Sequence, residues 1–239
     1  MAAIQKLEHL VVKAASKHTA TVIFVHGLGD TGEGWEPVAK MLSKDEGLKH
    51  VKWVLPHAPI KPVTANMGMS MPSWFDIYDF GFNAREDEKG MLETTVSLNA
   101  LITDEVDNGI PASRVVLGGF SQGGAMSLLT GLTSERKLTG IAVLSGWLPL
   151  RSKFVSMMSD HAKKLPIFWG HGTNDPLVRP EIANASRQFL EDQMGIKGAS
   201  KEDPTGLEFH PYPGLEHSAA PEEIGDLGSW LKRVVPQTE

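Results

Sequence analysis

Cysteine is missing from all 239 residues of this chain. That absence excludes disulfide cross-links, thiolate nucleophiles and thiolate-ligated zinc together. Basic clusters are missing too. The formal net charge is −6, and no run of lysine and arginine offsets it. Nucleic acid is therefore not an expected partner, and nothing favours electrostatic docking on anionic lipid. No apolar run approaches the roughly 20 residues needed to span a bilayer. Charged side chains fall between Met1 and His9, where a signal peptide would need an apolar core. Ala2 excludes myristoylation, and there is no cysteine to prenylate. The Asn184-Ala185-Ser186 sequon lies in a predicted helix and reads as chance. No His-Glu-x-x-His pattern or carboxylate cluster points to a metal, and no Walker lysine follows a glycine-rich loop. Neither metal nor cofactor is expected. These absences predict a soluble protein of the cytoplasm, with the nucleus also open to it.

What is present is an alternation of apolar runs and helical patterns. Thr21–Val25, Val51–Leu55, Arg114–Gly118, Ile141–Leu144, Pro166–Trp169 and Leu207–Tyr212 read as strands. Helices are expected around Val38–Leu42, over Lys89–Val106, after Ser121, over Glu181–Met194 and over Pro221–Val235. Leu92, Val96, Ile102 and Val106 recur near helical spacing, and Gly109 and Pro111 end that helix. Residues 150–164 read as irregular or part-helical, and 195–206 as a polar surface insertion. Strands alternating with helices imply a mostly parallel sheet covered on both faces, as one α/β domain over residues 1–239.

The sharpest local signal is Gly119-Phe120-Ser121-Gln122-Gly123, between a predicted strand and a predicted helix. A serine on such a turn is held in a strained conformation that exposes its hydroxyl, and the glycines avoid clashes across the turn. Function in open α/β sheets collects beyond the carboxyl ends of the strands. There stand Asp175, after the Trp169 strand, and His217, after the Phe209 strand. The order Ser121, Asp175, His217 is that of the α/β-hydrolase fold. In such a set the histidine takes the serine proton and the carboxylate orients the histidine. Rivals exist. His210 competes as base but sits inside a strand, Asp203 competes as the acid but lies in the polar insertion, and Asp175 itself could simply cap a turn. His26, His57 and His171 read as structural hydrogen-bonders. The loop His26-Gly27-Leu28-Gly29-Asp30 would supply one oxyanion donor, Leu28 N–H, and Gln122 N–H the other. Gly27 to Gly32 also satisfies Gly-x-Gly-x-x-Gly, but the second strand leads into Pro56-His57-Ala58-Pro59 rather than to the acidic residue a dinucleotide site wants.

With these segments the chain resembles the acyl-protein thioesterases of the phospholipase/carboxylesterase family. The likeness is carried by His26–Gly32, Pro56–Pro59, Met71-Pro72-Ser73-Trp74-Phe75-Asp76, Gly118–Ala125 and Asp175-Pro176-Leu177-Val178, and it covers nearly the whole chain. The resemblance implies cleavage of S-palmitoyl thioesters on proteins, with side activity on lysophospholipids and small esters, and a triad at Ser121, Asp175 and His217. It implies S-acylated proteins and acyl lipids as substrates. Relatives often carry an N-terminal cysteine that is itself palmitoylated; this chain has none. Membrane contact is then expected to be transient and apolar, and assembly to go no further than a weak homodimer. For the acyl group, Asn66–Phe82 gathers methionines and aromatics suited to an adaptable apolar channel, with Met69, Met71, Trp74 and Phe75 as lining, and Trp147, Leu148 and Leu177 as a second wall. The same segment would also serve as core beneath a long loop. A carboxylesterase for short esters and a hydrolase-fold binding protein without turnover remain as alternatives.

Overall fold

The computed structural model describes residues 6–79, 85–200 and 203–238. Along the chain run β1 (His9–Val12), β2 (Ala20–Val25), α1 (Gly32–Leu42), β3 (Val51–Pro56), β4 (Ile60–Val63), β5 (Met69–Pro72), α2 (Glu88–Asp107) and β6 (Val115–Phe120). There follow α3 (Gln122–Thr133), β7 (Gly140–Leu144), α4 (Arg151–Met157), β8 (Pro166–Gly172), α5 (Pro180–Asp192), β9 (Gly206–Tyr212) and α6 (Pro221–Val234). Seven strands form one sheet in the order β1-β3-β2-β6-β7-β8-β9, and β4 and β5 form a separate hairpin. Neighbours in the large sheet are parallel except β1 and β3, where His9 lies opposite Pro56.

β2 is apolar at nearly every position because both its faces are covered. Ile23 and Val25 face the layer that holds Leu98 and Ile102 of α2, Met126 of α3 and Leu190 of α5. Val22 and Phe24 face the other layer, with Trp35 of α1 and Trp230 and Leu231 of α6. The predicted strands and helices are present, most with ends shifted by a residue or two, though α1 begins six residues earlier, at Gly32, and β8 runs three residues further, to Gly172. Three features differ. β1 and the β4–β5 hairpin are additions, both too short and too mixed in polarity to stand out. Within α2, the buried stripe is Met91, Leu98, Leu101 and Ile102, whereas Leu92 and Val96 are exposed. Leu92 and Ile102 stand ten residues apart, nearly three turns but some 80° short of returning to one face, so that set spans two faces. Residues 195–206 are also less of an appendage than expected. Ile196 is buried, and Gly198 bridges to Leu207, covering part of the β9 edge.

Candidate active site

Parallel pairing puts the carboxyl ends of β2, β6, β7, β8 and β9 on one side of the sheet, and the loops leaving them build the site. After β6 ends at Phe120, Ser121 takes φ +55° and ψ −118°, and α3 begins at the next residue. Positive φ strains a non-glycine residue, and here it turns the hydroxyl outward. The flanks must be glycine. A β-carbon on Gly123 would lie 2.0 Å from Val25 O, and one on Gly119 would lie 2.5 Å from the Gly123 carbonyl group.

His217 Nδ1 lies 2.7 Å from Asp175 Oδ2, and its Nε2 lies 2.9 Å from Ser121 Oγ. A carboxylate only accepts, so Nδ1 carries the proton and Nε2 accepts from the serine hydroxyl. Asp175 Oδ1 in turn accepts the Leu177 and Val178 N–H groups, each at 2.9 Å. Asp175 is buried, which by itself raises its carboxyl pKa. The His217 hydrogen bond and charge and the two amides outweigh burial and hold the group below the ordinary carboxylate range. Phe120 packs on the imidazole, ring centroids 4.8 Å apart.

The rivals lie elsewhere. His210 Nε2 pairs with Glu208 at 2.9 Å, and its ring stacks on Phe168. Asp203 is exposed and caps Thr205. His26 accepts the Ala58 N–H at 3.0 Å and sits 2.7 Å from Gly27 O, and His57 accepts the Gly32 N–H at 3.2 Å. Both hold the loop after β2 in place. That loop lies against the serine, since a β-carbon on Gly27 would come within 3.4 Å of Ser121 Cβ. Among the described residues no hydrogen bond uses the N–H of Leu28 or of Gln122. The first N–H groups of a helix lack an intrahelical acceptor in any case.

The Gln122 side chain does something its position in the motif did not reveal. Buried completely, it accepts the Trp74 N–H at 2.9 Å and donates to Phe75 O at 2.8 Å and Ser73 Oγ at 3.2 Å. It clamps the 73–75 loop beside the serine. Trp74 is buried as well. Its Nε1 donates to His26 O at 2.8 Å and its carbonyl accepts from Thr94.

A cavity opens next to this assembly. Phe75, Trp147, Leu148 and Leu177 line it as expected, joined by Ile77, Met91, Val178 and Ile182. It shares Phe75 with the Gln122 clamp and Leu177–Val178 with the amides that hold Asp175. Met69, Met71 and Trp74 are not among its walls, which corrects that part of the expected lining. Met69 and Met71 belong to the β4–β5 hairpin, and Trp74 is sealed by its own hydrogen bonds. Phe80 and Phe82, in the same expected segment, lie outside the described residues. Nor is the cavity wholly apolar. Asp76, Arg85, Glu86 and Arg151 edge it, and Glu86 accepts the Leu150 N–H at 2.9 Å. Burial raises the Glu86 carboxyl pKa against that hydrogen bond and Arg151.

A serine on a strand-to-helix turn, bonded to a histidine and a carboxylate from the loops after later parallel strands, is the architecture of the α/β-hydrolases. The sequence profile of the Phospholipase/Carboxylesterase family matches residues 7–235, and the chain belongs to that family of hydrolases. Acyl-protein thioesterase 1 of Cryptococcus neoformans is 54% identical over 232 residues, covering 94% of this chain and 96% of that one. Acyl-protein thioesterase 1 of Schizosaccharomyces pombe is 41% identical over 230 residues, covering 96% and 97%. Among solved structures, Arabidopsis thaliana SOBER1 superposes with a TM-score of 0.81 at 38% identity, over 91% of this chain and 99% of that one.

Proposed function

We propose that the protein is a thioesterase that removes long acyl chains from S-acylated proteins, with Ser121 as nucleophile, His217 as general base and acid, and Asp175 as the orienting carboxylate. The observation that carries the reading is the unbroken hydrogen-bonded chain from Asp175 through His217 to Ser121, beside a cavity with a largely apolar wall. In the reaction, His217 Nε2 takes the hydroxyl proton as Ser121 Oγ attacks the thioester carbonyl. The oxyanion is received by the Leu28 and Gln122 N–H groups, a role supported by neither having a hydrogen-bond acceptor among the described residues. The imidazolium, steadied by Asp175, gives its proton to the departing thiol. Water repeats the cycle on the acyl-enzyme. Lysophospholipids and simple esters offer the same carbonyl and are proposed as side substrates.

The acyl chain is placed along Phe75, Trp147, Leu148 and Leu177. Ile60, Met67 and Met69, on or between the hairpin strands, are 66%, 90% and 55% exposed, which supports transient apolar contact with the membrane that holds such substrates. A thioester series from two to sixteen carbons, kept below micelle concentrations, tests the reading. Each buried methylene can contribute up to about 0.8 kcal/mol, so kcat/KM is expected to rise with length. Ile182→Trp is expected to lower kcat/KM for long chains more than for acetyl. A flat profile would favour the short-ester carboxylesterase instead.

A further inference from the structure

A second histidine lies behind the Asp175 carboxylate, and the chemistry above does not use it. His171 belongs to β8 and is 2% exposed. Its Nε2 lies 2.7 Å from Val178 O and 3.8 Å from Asp175 Oδ2, the oxygen that meets His217. A carbonyl only accepts, so Nε2 carries the proton. Burial, above all, holds the His171 pKa below the ordinary histidine value. His217 adds to the effect, while the Val178 carbonyl and Asp175 oppose it. Asp175 and His217 are also the titratable groups that face the ring. Burial thus favours the neutral ring, and among the described residues its Nδ1 has no hydrogen-bond partner. Val178 is held from both sides. Its carbonyl accepts from His171, and its N–H donates to Asp175 Oδ1 alongside that of Leu177.

We propose that His171 is a positioning residue for the hydrolytic reaction: by holding Val178, it fixes the amides that grip Asp175 Oδ1 and so aims Oδ2 at His217. The inference rests on the triad reading given under Proposed function. The residues form one closed path. His171 fixes Val178, Val178 fixes Asp175, Asp175 fixes the His217 tautomer, and His217 meets Ser121. An aspartate on a loop has rotameric freedom that would spoil this alignment, and misplacement of about 1 Å in such a set costs about 100-fold in rate. Neutrality of the ring matters as well. A protonated His171 would place a cation 3.8 Å from Asp175 Oδ2, in competition with His217.

The test uses the full chain and a soluble long-chain thioester. His171→Leu fills the space without a donor, and His171→Asn carries an amide too short to reach Val178 O. His171→Gln places an amide N–H close to where Nε2 stands. For Leu and Asn, kcat is expected to fall about 10- to 100-fold with KM within about threefold. The acidic limb of the kcat/KM profile should move to lower pH, because the carboxylate supports the imidazolium less well. Gln should recover most of the loss and restore the limb. If Leu does not fold, Asn alone decides. Wild-type kcat and an unmoved pH profile in Leu or Asn would overturn the proposal, as would equal losses in Gln and Asn. Ser121→Ala separates this failure from that of the triad. Should Ser121→Ala keep wild-type turnover, the triad reading falls and takes this one with it. If Ser121→Ala is dead and His171→Leu behaves as wild type, only the positioning role falls.

Discussion

Glu223→Gln is expected to make the protein more stable at alkaline pH, and the size of the effect follows from where the carboxyl sits. Glu223 lies in the first turn of α6 and has no exposed surface. A β-carbon on Gly170 would come within 2.3 Å of its Oε1, so the carboxyl is pressed against the β8 backbone. Among the described residues neither oxygen has a well-formed hydrogen-bond partner. Burial raises its pKa from 4.5, the Ala220 N–H opposes the rise and Asp226 adds to it, leaving the group at about 7. The sign follows. Between about 4.5 and 7 the folded chain holds a proton that the unfolded chain has released, so this group's contribution is full below that window. It is lost as pH rises through it. At about 1.4 kcal/mol per pH unit, the whole window amounts to roughly 3 kcal/mol. Glutamine keeps the shape and cannot ionise. In urea unfolding at pH 5 and pH 8, the wild type should lose about 2–3 kcal/mol more than Glu223→Gln between the two. At pH 8 the variant's thermal midpoint should lie higher by several degrees, about 5–10 °C. Parallel pH dependence of the two proteins would refute the reasoning and would mean that the carboxyl is hydrated or paired in solution.

Ser121→Ala should lower thioester hydrolysis by about 10³-fold or more while the thermal midpoint stays within a few degrees, since among the described residues the hydroxyl bonds to His217 alone; activity within tenfold of wild type refutes the nucleophile. His217→Ala should likewise abolish turnover, whereas His210→Ala should act on stability alone, because its ring stacks on Phe168 and pairs with Glu208; the reverse pattern in the same assay would reassign the base. Gln122→Leu should destabilise by about 1–3 kcal/mol, because it strands the buried Trp74 N–H, whereas the Ser73 hydroxyl and the Phe75 carbonyl keep their bond to each other at 2.6 Å; a urea midpoint equal to wild type would mean that the clamp is dispensable.

What could be read ahead of the structure was whatever chemistry forces into one short segment. Gly119 and Gly123, with Ser121 between them, announce a strained turn because neither glycine position has room for a β-carbon, and β6 and α3 flank it as the apolar runs required. Chain order did nearly as much for Asp175 and His217, because parallel strands bring all their following loops to one edge whatever the distance in sequence. His210 could be set aside on the same ground, as a residue inside β9, seven positions before His217. The cavity was only half legible. Met69, Met71, Trp74 and Phe75 are adjacent in sequence and alike in polarity, yet only Phe75 lines it. The difference lies in partners distant along the chain. His26 O and Gln122 Oε1 take both Trp74 N–H groups, and this seals the indole into the core while its neighbour's ring turns to the cavity. The Gln122 clamp was hidden for the same reason, since its partners lie 47 to 49 residues away. Position 122 thus presents two groups with different sequence visibility. Its amide belongs to the turn and could be assigned from the motif, whereas its side chain joins the turn to a loop that a separate stretch of the chain must deliver. A substitution there tests the second without touching the first, because every residue but proline keeps the N–H.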